Sequence, residues 1–476
     1  MDSSTQLDER TGLLRNEAEA RRQLLEDAFD ISSVGILRAR NVYRTKPPRI
    51  VALDVFRGFM MLLQSVEHAR IFLTKSKSQA QMEIWYSQPA YKNSFDTLIR
   101  IASHLAPLGF AFVMGIGIVL FSQSRIMMGW SLRSLAVHFL IRGLVLVSLN
   151  FWFSLFFMLA FEDNMYHMAT VLFALGINFT ISGFIFLISV LLYYLSMRFF
   201  EKRAADIEVV SRLTKSLRIF ILITLSILLS IGVVLQTPKA ITFVTESVWR
   251  HILVLPGVYK SYIFIHPPLD WLSLVIYGVA FALLTSRHVT DTSYNIRLNL
   301  KAVLILFVLF LLIRIPGKFG NINPELLPLP PKTLFHNPYL ANWMQFFNVV
   351  IYPPDLAYIT FYMGLNHLLL SFLYSLSSSP TSLFSDSLAT SFVTIVVISP
   401  LLCFGQSALL FYIVHLKVYW LMKLCLVYVF GSKLFNLGDF MFWFLWCIGL
   451  GIMWVCCSKF ARYKARKSAD SLWRFF

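Results

Sequence analysis

Two stretches of this chain place ionisable side chains inside otherwise apolar sequence. In LDVFRGFMMLLQSVEHAR, residues 53–70, Asp54, Arg57, Glu67, His68 and Arg70 sit in or at the ends of one apolar run. In RIASHLAPLGFAFVMG, residues 100–115, Arg100 and His104 stand one turn apart and share a helix face. An ionisable group in hydrocarbon costs about 2.5–3.5 kcal/mol on insertion scales, so it marks a functional position by default. Two histidines, a carboxylate and guanidiniums suit acid–base chemistry. A histidine would take a proton, the carboxylate would orient it, and the arginines would hold developing negative charge. The expected catalytic set is His68, Glu67, His104, Arg100 and Arg70.

Further candidates lie along the chain. His415 falls about 15 Å into the 405–428 segment, near mid-membrane by helical rise. Arg142 follows His138 by one turn at similar depth. Asp54 and Arg57, at i and i+3, can pair with each other. His266 and Asp270 stand in HPPLDW. The sequence holds no P-loop, no G-x-G-x-x-G after a strand, no H-E-x-x-H and no G-x-S-x-G. An ATP-driven or zinc mechanism has no support, and no metal is expected. The five cysteines, at 403, 425, 447, 456 and 457, offer no metal spacing and no disulfide framework.

The elements that must position these residues are membrane helices. The chain is 57% hydrophobic and only 14% charged, against roughly a quarter charged in soluble domains. Apolar blocks such as 217–236 and 439–457 approach the roughly 20 residues that span hydrocarbon. The fold class is therefore all-α, a polytopic integral membrane protein. Helices are expected over 50–72, 98–123, 133–160, 168–196, 217–236, 269–286, 299–315, 355–377, 405–428 and 438–457. The stretch 387–402, which ends at Pro400 with a turn at Gly405, reads as a re-entrant or interfacial helix or an eleventh span.

Basic residues choose between these counts, because cytoplasmic loops are enriched in Lys and Arg. Ten spans put four basic groups on the cytoplasmic side: 38–49, 198–218, 287–297 and 459–467. The net charge of +17 follows from this rule, and nucleic acid is not an expected partner. The chain divides into a cytosolic tail (1–48), a membrane domain (49–458) and a basic cytosolic tail (459–476). Segments 73–97, 237–268 and 316–354 face the opposite side, the last a proline-rich cap. His68 then lies about 27 Å along its helix, level with Arg100 and His104 on the next, antiparallel one. In the first tail, ERTGLL carries Glu9, Leu13 and Leu14 in a pattern similar to the dileucine signal of cytosolic sorting adaptors. That points to a lysosomal, vacuolar or other endomembrane address.

The motifs, taken in order, resemble the heparan-alpha-glucosaminide N-acetyltransferase family and its bacterial membrane relatives. LDVFRG (53–58) resembles the family's opening. Glu67-His68-Ala69-Arg70-Ile71-Phe72 matches an acidic-His pair followed by Arg and an aromatic. RIASHLAPLGFAFVMG matches Arg-x-x-x-His before proline, phenylalanines and glycine. Arg142-Gly143, VLFALG (171–176), YPPDL (352–356), FGQSALLFYIVH (404–415) and the basic aromatic tail follow in sequence. Glu67 departs from the commoner aspartate, and Pro107 sits one place early relative to the pattern. Two further differences place the chain nearer the bacterial branch: 73–97 lacks the loop histidine of the lysosomal enzyme, and His68 stands where that enzyme has an asparagine.

The resemblance implies transmembrane acyl transfer. Acetyl-CoA, as co-substrate, would be used from the cytoplasmic side, and a small-molecule sugar, amine or glycan acceptor would wait on the other. His415 and Arg142 would line the path of the thioester, while Arg57 and Arg133 would attract the CoA phosphates. A homodimer is left open. The rival expectation is a proton- or anion-coupled transporter that consumes no acyl-CoA.

Overall fold

Within hydrocarbon a chain must satisfy its own backbone hydrogen bonds, and the apolar blocks do so as helices. In this computed structural model, residues 50–74, 94–160, 167–203, 206–242, 248–288, 291–321, 337–378, 397–431, 438–467 and 471 are described. In chain order the elements are α1 (Val51–Leu73), α2 (Ser94–Ser103), α3 (Leu105–Met127), α4 (Leu132–Ala160), β1 (His167–Ala169), α5 (Val171–Glu201) and α6 (Ile207–Thr242). There follow α7 (Val248–Leu253), β2 (Gly257–Tyr259), β3 (Tyr262–Phe264), α8 (Pro268–Thr285) and α9 (Thr292–Arg314). The last elements are α10 (Trp343–Phe346), α11 (Leu356–Ser378), α12 (Ser399–Gln406), α13 (Ala408–Phe430) and α14 (Gly438–Ala465). Among the described residues, nine helical segments are long and apolar enough to cross a membrane, with α2 and α3 forming one of them. Large apolar side chains such as Leu192, Leu228, Leu304 and Phe372 are exposed on these helices. The chain is a multi-pass helical membrane protein.

Helix α1 is as long as the others but carries four charged side chains. Its position explains how they are tolerated. Phe56, Met60 and Ala69 are fully buried, so α1 runs through the protein interior and not against lipid. Met60 lies against Gly109 and Arg57 against Gly117, so α1 and α3 are antiparallel. Ser65 receives a hydrogen bond from Trp446 Nε1 of α14 at 3.0 Å. The closest approach is to α12. A Cβ on Gly58 would stand 1.8 Å from Leu401 O, and one on Gly405 would stand 1.7 Å from Asp54 O. Only glycine permits backbones to meet so closely.

The start of α1 and the end of α14 share one end of the bundle. Gly405 meets Asp54, and Lys464 Nζ donates to the carbonyl of Gln406, which follows Gly405, at 3.2 Å. This is the basic end; His68 lies toward the opposite, far end.

Several boundaries differ from those expected. The 98–123 segment is broken at His104. Pro107 lacks an amide hydrogen and its ring collides with the carbonyl four residues back, at Ser103, so α2 ends there and α3 starts afresh. Pro400 opens α12 and does not end a helix, because a missing N–H costs nothing in a first turn. The next break is at Ser407, after Gly405, and residues 379–396 lie outside the described residues. Helix α6 begins ten residues before 217 and takes in Arg212, Lys215 and Arg218; α14 continues to Ala465, so the 458/459 boundary falls inside a helix. Hydropathy registers only the apolar part of a helix, whereas charged residues with good helix propensity extend it past the membrane. An all-α chain was expected, yet β1 pairs parallel with β3 and β2 antiparallel with β3, in the order β1-β3-β2. Three-residue strands are too short to show alternation.

At the far end, the described part of the proline-rich cap hangs on Arg314. This side chain is fully buried at the end of α9. Its guanidinium donates to Phe346 O at 2.7 Å, Asn321 Oδ1 at 2.6 Å, Gln345 O at 3.1 Å, and also to Asn348 O. It stacks over Tyr339 at 3.8 Å. The cap then delivers Tyr352 edge-on to His266, 5.0 Å between centroids.

Candidate functional site

His68 sits eighteen residues into α1, about 26 Å along it by helical rise. Its Nδ1 lies 2.7 Å from Nε2 of His415 on α13, and the two rings are near-parallel and edge to edge, with centroids 5.0 Å apart. His415 Nδ1 in turn lies 2.8 Å from the carbonyl of Phe411, one turn earlier on the same helix. His415 is almost completely buried, while His68 is half-buried. His68 Nε2 makes no hydrogen bond among the described residues. Tyr412 presents its ring edge to His68 at 6.2 Å and lies at 5.8 Å from His415. His266, before α8, is within electrostatic reach of His68. Three histidines distant in sequence therefore converge at the far end of α1.

This arrangement alters the expected groupings. His415 was assigned to the path of the thioester, apart from His68; the two are in direct contact. Glu67 was expected to orient His68. It forms its ion pair with Arg70 at 3.6 Å instead, because residues adjacent on a helix point about 100° apart whereas i and i+3 share a face. The side chain in hydrogen-bond contact with His68 is His415. Arg70 also lies 5.8 Å from the ring of Phe442.

His104 and Arg100 are both buried. The His104 ring packs against Tyr358 and Tyr362 of α11, with centroids 6.3 and 5.8 Å away. Its backbone carbonyl accepts the Tyr358 hydroxyl at 2.9 Å. Since Met60 faces Gly109, His104 stands opposite about Ser65, some 4–5 Å short of His68 in depth. The two histidines share a level, as expected, but His104 belongs to the α3–α11 contact.

The basic end of α1 has a different character. Arg57 bonds Asp54 at 3.2 Å and lies within electrostatic reach of Arg142 on α4. Arg142 sits over the Phe179 ring at 4.9 Å, and His138, one turn away, stacks on Phe121 at 4.3 Å. Two guanidiniums near a single carboxylate leave net positive charge, which suits a phosphate-bearing ligand. Arg133 does not join them. Nine residues separate it from Arg142, so they lie on opposite faces of α4, and Arg133 is exposed.

Two buried polar groups complete the picture. His367, on α11, was not singled out, although the mid-membrane position that marked His415 marks it too. Its Nε2 lies 2.8 Å from the Tyr277 hydroxyl and its Nδ1 2.8 Å from Asn299 Oδ1, so both nitrogens are engaged. Asp270, in the first turn of α8, is 1% exposed, and neither carboxylate oxygen has a hydrogen-bond partner among the described residues. It lies on the stripe of α8 that carries Tyr277 and Phe281, both packed against His367. Burial pushes the His266 imidazole down to about 3.

No known protein-family model matches the chain, and no curated protein does. Among the described residues no group of three or more His, Cys, Asp or Glu could hold a metal ion.

Proposed function

We propose that this protein is a transmembrane acyltransferase, moving an acyl group, acetyl foremost, from acyl-CoA in the cytoplasm to a sugar or amine acceptor on the other side. The observation that carries this reading is the His68–His415 pair, with His68 Nε2 making no hydrogen bond among the described residues, at the far end of a helix whose other end holds Arg57 within electrostatic reach of Arg142. The ordered motifs that resemble the heparan-alpha-glucosaminide N-acetyltransferase family support the same chemistry. In this reading ten helices span the membrane, α1 among them, because the start of α1 and the end of α14 share one end of the bundle and an even number of crossings returns the chain there. That end faces the cytoplasm by its charge.

The chemistry follows from the two ends. Arg57 and Arg142 hold the CoA phosphates. From Arg57 to His68 is about 16 Å along α1, a span for the extended pantetheine arm to cover. His68 Nε2 takes the proton from the acceptor N–H or O–H as that atom attacks the thioester carbonyl. The C–S bond breaks, the acyl group stays on the acceptor, and the proton passes to the departing thiolate. A dileucine address for lysosomes or vacuoles is part of the proposal; Glu9, Leu13 and Leu14 lie outside the described residues.

The test uses purified protein in vesicles, with radiolabelled acetyl-CoA outside and amino sugars and glycans inside. Label on the internal acceptor with wild type, and none with His68→Ala, is the expected result. One observation favours the proton-coupled form of the second reading, the proton- or anion-coupled carrier: the buried Asp270 carboxylate, without a hydrogen bond among the described residues. Folded protein that leaves acetyl-CoA intact across acyl lengths and acceptors would select the carrier.

A further inference from the structure

The His68–His415 contact has a direction. A backbone carbonyl can only accept a hydrogen bond, so His415 must donate its Nδ1–H to Phe411 O. In a neutral ring that leaves His415 Nε2 as a lone pair. The 2.7 Å contact then requires His68 to donate from Nδ1. His68 is left with its second lone pair on Nε2, the nitrogen that makes no hydrogen bond among the described residues. Phe411 lies 5.2 Å from the His415 ring and near-parallel to it, and Tyr412 packs against both histidine rings, which hinders a ring flip that would replace each contacting nitrogen by a carbon.

We infer that His415 is a positioning residue: through the Phe411 carbonyl it holds His68 as the Nδ1–H tautomer and so makes Nε2 the reactive base. This rests on the acyl-transfer reading for its catalytic meaning, but the tautomer itself does not. Once Nε2 takes a proton, the His68 imidazolium keeps its Nδ1–H on His415 Nε2, which accepts a stronger, charge-assisted bond. His415 therefore favours the protonated intermediate over the resting ring without touching substrate. A neutral partner that orients the base by hydrogen bonding replaces the carboxylate that commonly fills this role.

The experiment reads tautomer and turnover separately. Full-length protein labelled with 15N-histidine in lipid bilayers would be examined by solid-state NMR near pH 8, with His68 assigned by difference from His68→Gln. The expected spectrum shows His68 protonated at Nδ1 and bare at Nε2 in wild type. In His415→Phe, which keeps a ring but no acceptor, His68 should redistribute between tautomers. In the vesicle assay His415→Phe should lower kcat about 100-fold, within the range typical of a general base, with KM for acetyl-CoA unchanged. His415→Gln, whose amide oxygen can accept in place of Nε2, should recover turnover to within about tenfold of wild type, against the same general-base range.

Wild-type His68 protonated at Nε2 would overturn the inference and leave acyl transfer standing. Full turnover by His415→Phe would overturn it as well, since a pair that merely held α1 against α13 would not alter kcat alone. The expected tautomer in a protein that consumes no acyl-CoA would support the positioning and sink the transferase.

Discussion

His367 and His68 are both histidines inside the helical bundle, yet they are wired differently. His367 is fully buried and commits both ring nitrogens, one to Tyr277 on α8 and one to Asn299 on α9. It joins three helices and has no lone pair left to offer. Among the described residues His68 commits only Nδ1, is half-buried, and keeps Nε2 open. Depth in the membrane does not separate a structural histidine from a reactive one; the count of engaged nitrogens does. His415 belongs with His367 by that count, which is why it supports chemistry without performing it.

The largest expected effect breaks the comparison directly. His68→Gln should reduce acyl transfer by about 10²–10⁴-fold, the usual contribution of a positioned base, with the thermal midpoint in detergent close to wild type. His367→Gln should do the reverse. It loses well-made buried hydrogen bonds worth about 1 kcal/mol each and lowers the midpoint, while turnover per folded molecule stays within a few fold. Equal losses of activity in both variants would dissolve the distinction.

His266 sharpens it, as an imidazole that is buried with Nδ1 unbonded among the described residues. Its value in the folded protein, about 3, lies below the unfolded one near 6.5. Between those values the unfolded chain binds the extra proton, so stability is full above about pH 6.5 and falls as pH drops toward 3. The slope is at most about 1.4 kcal/mol per pH unit. Unfolding midpoints measured from pH 7.5 to 5 should decline for wild type and decline less for His266→Gln. Parallel curves would show that His266 is not protonated on unfolding.

The smallest effect concerns Asp270. A buried carboxylate with neither oxygen bonded is a liability to folding, and an amide of the same shape removes the charge. Asp270→Asn should raise the midpoint by the equivalent of about 1 kcal/mol, toward the low end for a buried polar group. A lower midpoint would reveal a stabilising partner for the carboxylate and move Asp270 into the engaged class with His367.

Much of the site could be read from residue types, and the grouping could not. Mid-membrane position marked His415 and Arg142, and applied to every span it marks His367 also; His68 and His104 stood out as ionisable residues at the ends of apolar runs. Similar depth for His68 and His104 followed from helical rise alone, and Met60 lying on Gly109 puts them about 4–5 Å apart along the axis. Rise gives depth but not azimuth. It left open which neighbour His68 turns toward, and it suggested Glu67 where helical geometry directs that side chain to Arg70.

The sequence by itself determined the membrane class, the apolar part of each long helix among the described residues, and the residues with chemistry to offer, because these depend on composition, run length and local spacing. It also contained the cause of the break at His104, since Pro107 acts on the turn before it. Only the tertiary structure decided that α1 is an interior helix, that Gly58 and Gly405 admit α12 against its backbone, and that His415, 347 positions away, meets His68. Contacts of that range depend on which helix faces pack together. That choice is made by the whole bundle at once and is written in no single segment.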